Sequence, residues 1–346
     1  MTTTVIRVAN LSVRVDARAV AVALGALLVA VLALVASVVI GDYPLPAGDV
    51  LGVLTGGEGR TRRSAYIVLQ LRLPRALGAV VIGAAFAVSG AVVQRVVRNP
   101  LASPDIVGVN AGAATAAVFL IVVAAAGPTT VAAGALVGGL SSAVLIYLLS
   151  RRHGVSAYRL VLIGIGITAM LGSVTAYMLN TANIYTAEQA TVWLSGSLVG
   201  RSWGQVVPVM AVVAVLAPVA LWLARPLRAV ELGDDLAHAL GTRVEAARLG
   251  MLVVAVVLAS VATAAAGPIA FIALAAPQIA RRLLRERGVA LMTSAVVGAA
   301  LLAVADLVAR VLFAPVELPV GVLTAVLGAP YLVWLLARAN RVGRAG

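Results

Sequence analysis

Apolar runs of about 17 to 25 residues, divided by short clusters of arginine, glycine and proline, fill this chain from end to end. Runs of that length suit helices crossing a hydrocarbon layer about 30 Å thick, whereas barrel strands read as alternating segments of about ten residues. The pattern predicts spans over Ala19–Ile40, Pro74–Val93, a stretch entered irregularly after Asp105, Thr130–Leu149, Leu160–Leu179 and Gln205–Ala224. It continues with Leu249–Ala266, a short span from the Gly267-Pro268 break to Arg281, Ala290–Leu312 and Val322–Ala337. The fold class expected is therefore an all-α polytopic membrane protein of ten transmembrane helices, one transmembrane domain over residues 1–346.

Within the spans, small residues recur at four-residue spacing. Gly83, Ala87 and Ala91 form one such stripe, and Gly134, Gly138 and Ser142 another; each lets a neighbouring helix approach closely. The fifth span holds Gly164, Gly166, Thr168, Gly172, Ser173 and Thr175, which suits either tight packing or the wall of an aqueous path. Asp306 and Arg310, one turn apart in the ninth span, predict a local ion pair.

Between the sixth and seventh spans lies the one long charged interruption, Arg225 to Arg248. Leu232, Leu236 and Leu240 fall four apart around the candidate cap residues Asp234 and Asp235, which predicts a short amphipathic helix stopped by Gly241. Thr242 and Glu245 have the spacing of a capping box for the next helix. Taken alone, this element fits an interfacial helix as well as a docking surface.

Composition then narrows the class. The chain is 62% hydrophobic and 11% charged, against about 45–50% and about 25% for soluble domains. All 26 basic residues are arginine, so the lysine that a P-loop needs for phosphate is missing and the chain has no ATP site of that kind. With no cysteine there are no disulfides or thiolate metal sites. The net charge of +13 is scattered between apolar spans, so it bears on membrane orientation rather than nucleic acid. About 19 arginines fall on one side and about 7 on the other, which places both termini inside. Arg60, Arg62, Arg63, Arg72 and Arg75 gather on the outer side, as snorkelling anchors or as a surface for an acidic partner.

Four strings together resemble the FecCD family of ABC-importer permeases: RLPRALGAVVIGAAFAVSGAVVQRVVRNPLASPDIVGVNAGA (Arg72 to Ala113), W-x-x-G-S-L from Trp193, GPIAFIALAAPQIARR (Gly267 to Arg282) and ADLVARVLFAPVELPVGVLTAVLGAPYLVWLL (Ala305 to Leu336). The resemblance implies a type II importer permease of the bacterial cytoplasmic membrane. It also implies two ABC ATPase subunits, a second permease (a paralogue or an identical copy), and a periplasmic or lipid-anchored substrate-binding protein. The family's ATPase-coupling element matches Leu227 to Val244, with Leu232, Gly233, Asp234, Asp235, Leu236, Leu240 and Gly241 as its contacts. Arg72, Arg75 and Arg310 match arginines that meet glutamates of the binding protein in the family's vitamin B12 permease. Ser156, Ala157 and Tyr158 match its inner gate, where this chain is one residue longer. The family's usual P-H-I-x-R reads P-Q-I-A-R here, Pro277 to Arg281, which removes a histidine.

The expected function is therefore passage of a bulky solute by alternating access, with no covalent chemistry, cofactor or metal in this subunit and no nucleic-acid partner. An iron-siderophore complex is the favoured cargo; vitamin B12 or haem is the alternative, and spans two, five and ten are the expected walls of the path. An ion-coupled secondary transporter would need titratable groups near the midplane, whereas the acidic residues fall near span ends or in loops. An intramembrane hydrolase has only the isolated Ser89-Gly90 and Ser195-Gly196 pairs to draw on.

Overall fold

The computed structural model describes residues 3–8, 11–41, 43–56, 61–151, 157–231, 233–285, 291–314 and 316–342. A two-stranded antiparallel hairpin, β1 (Thr3–Val8) and β2 (Leu11–Asp16), opens the chain and runs directly into the first helix. Both strands are rich in β-branched residues, which favour the extended backbone.

Ten helices coincide with the ten expected spans: α1 (Ala17–Val39), α4 (Leu73–Val96), α5 (Val109–Val122), α6 (Pro128–Ser150), α7 (Ala157–Thr181), α9 (Trp203–Glu231), α11 (Val244–Ala266), α12 (Ile272–Leu283), α13 (Leu291–Val311) and α14 (Val320–Val342). Four shorter helices lie between them, α2 (Ala47–Thr55), α3 (Arg62–Tyr66), α8 (Ile184–Leu194) and α10 (Asp234–Ala239). Among the described residues, seven segments are long and apolar enough to cross a membrane. Helix α12, at 12 residues or about 18 Å, covers only part of a bilayer.

At the centre stands α4, with 78% of its apolar window buried, against 11% for α7. Small residues make that position possible: a Cβ on Gly83 would collide with the Gly298 carbonyl of α13, and one on Gly90 with the Ala273 carbonyl of α12. Ser89, buried on the same helix, donates to the Ala255 carbonyl of α11 at 2.6 Å. The expected stripe is thus a packing face, and α4 is enclosed by its own chain rather than walling an open path. The second stripe acts likewise, with Gly138 of α6 set against the Gly112 carbonyl of α5. By contrast, Gly166 and Gly172 of α7 meet nothing within 4 Å.

The polar segment expected to precede the second span is largely helical. From Arg62 the chain is continuous helix to Val96, passing through one π-turn at Ile67–Arg72. Pro74 does not break it, because the wider turn takes up a position where proline supplies no N–H. The Trp203 indole fills the vacancy by donating to the Leu69 carbonyl at 2.8 Å. This bond also fixes the start of α9 at the Arg72 end of the bundle.

Candidate functional site

Two opposite ends of the bundle carry the residues singled out by sequence, and a broken-helix junction lies between them. At the first end, α1 stops at Val39 and leaves carbonyls without helical partners. Arg72 Nη1 donates to the Val38 and Val39 carbonyls at 3.0 and 2.9 Å, and its Nη2 to the Tyr43 carbonyl. Arg310 Nη1 donates to the Ser37 and Ile40 carbonyls at 2.9 and 3.1 Å. Two guanidinium groups therefore satisfy the helix end and meet the negative end of its dipole. Gly41 allows this, since a Cβ there would lie 2.7 Å from Arg72 Nη2.

Asp306, 1% exposed, joins the same cluster. Arg75 reaches it through Nε at 3.2 and 3.1 Å and through Nη2 at 3.0 Å, while Arg310 Nη2 reaches its other oxygen at 3.2 Å. Arg75 Nη1 turns to Glu317 at 2.7 Å. The expected Asp306–Arg310 pair is present, within a larger network that ties α1, α4 and α13 to the connection before α14. Sequence reasoning missed Glu317 altogether, because a lone glutamate in PVELPVG carries no spacing signal.

Arg72, Arg75 and Arg310 are 6%, 7% and 5% exposed, so all three are brought together but buried among internal partners. Arg62 and Arg63, by contrast, are exposed, with the Arg63 guanidinium 4.4 Å from the centre of the Tyr43 ring.

At the opposite end, α9 runs past the expected boundary to Glu231. The break falls at Gly233, whose φ of 116° is open to glycine, and α10 occupies Asp234–Ala239. Asp234 and Asp235 are the first helical residues rather than caps, because Gly233 takes the capping position. Helix α10 ends in a Schellman turn. Gly241 (φ 74°) donates to the His238 carbonyl and Thr242 to that of Ala237, both at 2.9 Å. With its backbone committed to that turn, Thr242 does not cap α11; Arg243 stands at the cap position with no side-chain bond, so the expected Thr242–Glu245 box is absent.

Ala237 is fully buried and packs with Ala229 and Val244, while Leu236 and Leu240 are 56% and 64% exposed. The leucine face therefore points away from the protein. Leu232 lies outside the described residues, as does Ser156 of the expected gate; Ala157 begins α7 and Tyr158 is 75% exposed.

Between the two ends, three of the family-like strings converge on Gly196. Its carbonyl accepts from Gly321 N–H at 3.0 Å, and Ser197 N–H donates to the Ala266 carbonyl at 2.8 Å. A Cβ on Gly196 would strike the Pro268 carbonyl. The Ser195-Gly196 pair is thus a close-packed backbone junction beside the α11–α12 break, at Gly267 with φ 76°. Near that break a cavity of about 160 Å³ is lined by Phe86, Asp105, Asn110 and Phe271 among others. Asp105 accepts from Ser103 Oγ at 3.1 Å and from the Asn110 amide, whose oxygen accepts from Thr263 Oγ1 at 2.8 Å. Gln278, at the position of the family histidine, donates to Gln94 Oε1 at 2.8 Å and to the Pro100 carbonyl at 2.6 Å. It clamps α12 to α4 with an uncharged amide.

Among the described residues, no group of three or more histidine, cysteine, aspartate or glutamate side chains is placed to hold a metal ion. The arrangement is one of buried ion pairs at one end, an exposed leucine face at the other and helix breaks between them.

Comparison with known proteins gives these strings a common origin. The ferric enterobactin transport system permease protein FepG of Escherichia coli (strain K12) is 42% identical over 301 residues, covering 87% of this chain and 91% of that protein. The hemin transport system permease protein HmuU of Yersinia pestis is 38% identical over 287 residues, covering 81% and 86%. A solved structure of a metal-chelate type ABC transporter in an inward-facing conformation superposes with a TM-score of 0.80 at 26% identity, covering 92% of this chain and 99% of that one. The FecCD transport family matches residues 27–338, and the chain belongs to that family.

Proposed function

We propose that this chain is the membrane-spanning permease subunit of a bacterial ATP-driven importer of ferric siderophore complexes. Its identity of 42% to a ferric enterobactin permease along nearly the whole of both chains carries the reading. Two separate ATPase subunits supply the energy, and a second permease, identical or paralogous, completes the path. A periplasmic or lipid-anchored binding protein delivers the cargo. Both termini face the cytoplasm, a placement that the arginine distribution supports.

The coupling element is Leu227 to Val244, where Gly233, Asp234, Asp235, Leu236, Leu240 and Gly241 form the contact with an ATPase and Leu232 continues the leucine stripe. Exposed Leu236 and Leu240 support this role, since burial against a partner relieves them of water. Movement of the ATPases transmitted through this short, glycine-bounded helix rocks the bundle. Arg72, Arg75 and Arg310 form the docking end for an acidic binding protein, with exposed Arg62 and Arg63 adding charge that steers it. Ala157 and Tyr158, following Ser156, lie at the inner mouth. The small and polar residues of α7 line the path, because its Gly166 and Gly172 meet no neighbour in their own chain.

A second cargo, haem, is favoured by the 38% identity to a hemin permease. Reconstitution of the assembled transporter into proteoliposomes separates the readings. ATP-dependent accumulation of ferric enterobactin in preference to haemin is expected; preferential uptake of haemin would move the cargo to the second reading. Uptake that follows a proton or sodium gradient with the ATPases absent would sink the importer altogether.

A further inference from the structure

At the Arg72 end, two carboxylates share Arg75 on unequal terms. Asp306 is 1% exposed, sits on α13 and takes the Nε and Nη2 side of the guanidinium. Glu317 takes only Nη1, at 2.7 Å; its side chain is 19% exposed and it stands on the connection between α13 and α14 rather than in a helix. Of the two, Glu317 is the carboxylate that can leave at small cost. Its departure keeps Arg75 paired with Asp306 and presents one guanidinium N–H to the outside.

We propose that Glu317 is a resident stand-in for the docking partner: a carboxylate on the binding protein displaces it from Arg75 Nη1, and the displacement releases the start of α14. The inference rests on the docking reading of Arg75 given above. The exchange conserves the bond type, one charge-assisted hydrogen bond for another, so it is close to neutral at Arg75 itself. What changes is the connection that Glu317 anchors.

Three residues further on, Val320 is buried and Gly321 N–H is bonded to the Gly196 carbonyl at 3.0 Å. Gly196 in turn lies against the Pro268 carbonyl of the α11–α12 break. Loss of the Glu317 anchor therefore acts on the junction where α14, the 195–197 loop and the broken helix meet. Net charge favours the same partner. Exposed Arg62 and Arg63 stand at this end and add positive charge to it.

The test uses the complete transporter in lipid nanodiscs and the purified, fluorescently labelled binding protein that supports its uptake. In Glu317→Gln the internal competitor is weakened while Arg75 keeps Asp306, so affinity is expected to rise about fivefold, the ratio that about 1 kcal/mol represents for a partly exposed pair. Glu317→Asp, which keeps the charge but shortens its reach, is expected to give an intermediate gain. It serves as the second reading if the glutamine variant assembles poorly. In Arg75→Gln, which leaves Asp306 paired with Arg310, docking is expected to weaken, and adding Glu317→Gln to that background is expected to change nothing.

Unchanged or weaker binding in both Glu317 variants, with docking still weakened in Arg75→Gln, would overturn the exchange and leave the docking role of Arg75 standing. Full docking by Arg75→Gln would remove the docking role itself, and the exchange with it.

Discussion

At the residue scale, Asp306 has the largest consequences for a single side chain. It is the shared counter-ion of Arg75 and Arg310, and both arginines are buried with it. Replacing it by alanine leaves two guanidinium groups facing each other without a carboxylate between them, a loss of about 3–5 kcal/mol for a broken buried pair. Asp306→Ala is therefore expected to lower the thermal midpoint of the purified permease strongly, whereas Glu317→Gln shifts it little; equal midpoints for Asp306→Ala and the parent would show the network to be structurally idle. The ion pair of Asp306 with Arg310 was legible from their four-residue spacing. Arg75 and Glu317 were not, since they lie 231 and 11 positions from Asp306 and no local pattern links them. The same holds for Trp203, which closes the gap left by Pro74 by bonding to the Leu69 carbonyl 134 positions away.

At the scale of elements, the residues proposed for coupling sit at a helix break rather than within a long helix. Helix α10 is only 6 residues long and cannot hold itself together in isolation. Gly233, the Schellman turn at Gly241 and the buried Ala237 hold it against α9 and α11. Its exposed leucines are then free to act without supporting the fold. Leu236→Asp is expected to abolish co-purification of the ATPase and ATP-driven uptake while the stability of the permease stays within about 0.5 kcal/mol of the parent, as for other exposed sites. A variant with full ATPase association and full uptake would remove the coupling role. Sequence showed this element's position, its leucine spacing and its stop at Gly241. It misjudged the cap, because Thr242 and Glu245 have the right spacing but Thr242 is already committed to the turn that ends α10. A capping box is a statement about one helix end, and here two ends share the residue.

At the scale of the whole molecule, the bundle buries α4, α11 and α13 and leaves α7 almost bare, with only 11% of its apolar window covered. A helix with that much glycine, serine and threonine on an uncovered surface belongs against a partner or water rather than lipid. The cysteine-free chain makes this testable. A lone cysteine at Ser173 in the assembled transporter is expected to react with a water-soluble maleimide, and one at Leu28, on the exposed and wholly apolar stretch of α1, to stay unreacted. Protection of Ser173→Cys throughout the transport cycle would place α7 away from the path. The sequence by itself determined the class, the ten apolar segments and most of their breaks, because length against bilayer thickness and the torsional freedom of glycine and proline are local properties. Which helix stands at the centre was decided only in three dimensions. Both α4 and α7 are apolar and rich in small residues, and what separates them is whether a neighbour's carbonyl lies against the missing Cβ, as Gly298 does for Gly83 and nothing does for Gly172. The cluster at the Arg72 end was decided there too, since the unfilled carbonyls of α1 and the lone charge of Asp306 become a single site only when α1, α4 and α13 are packed side by side.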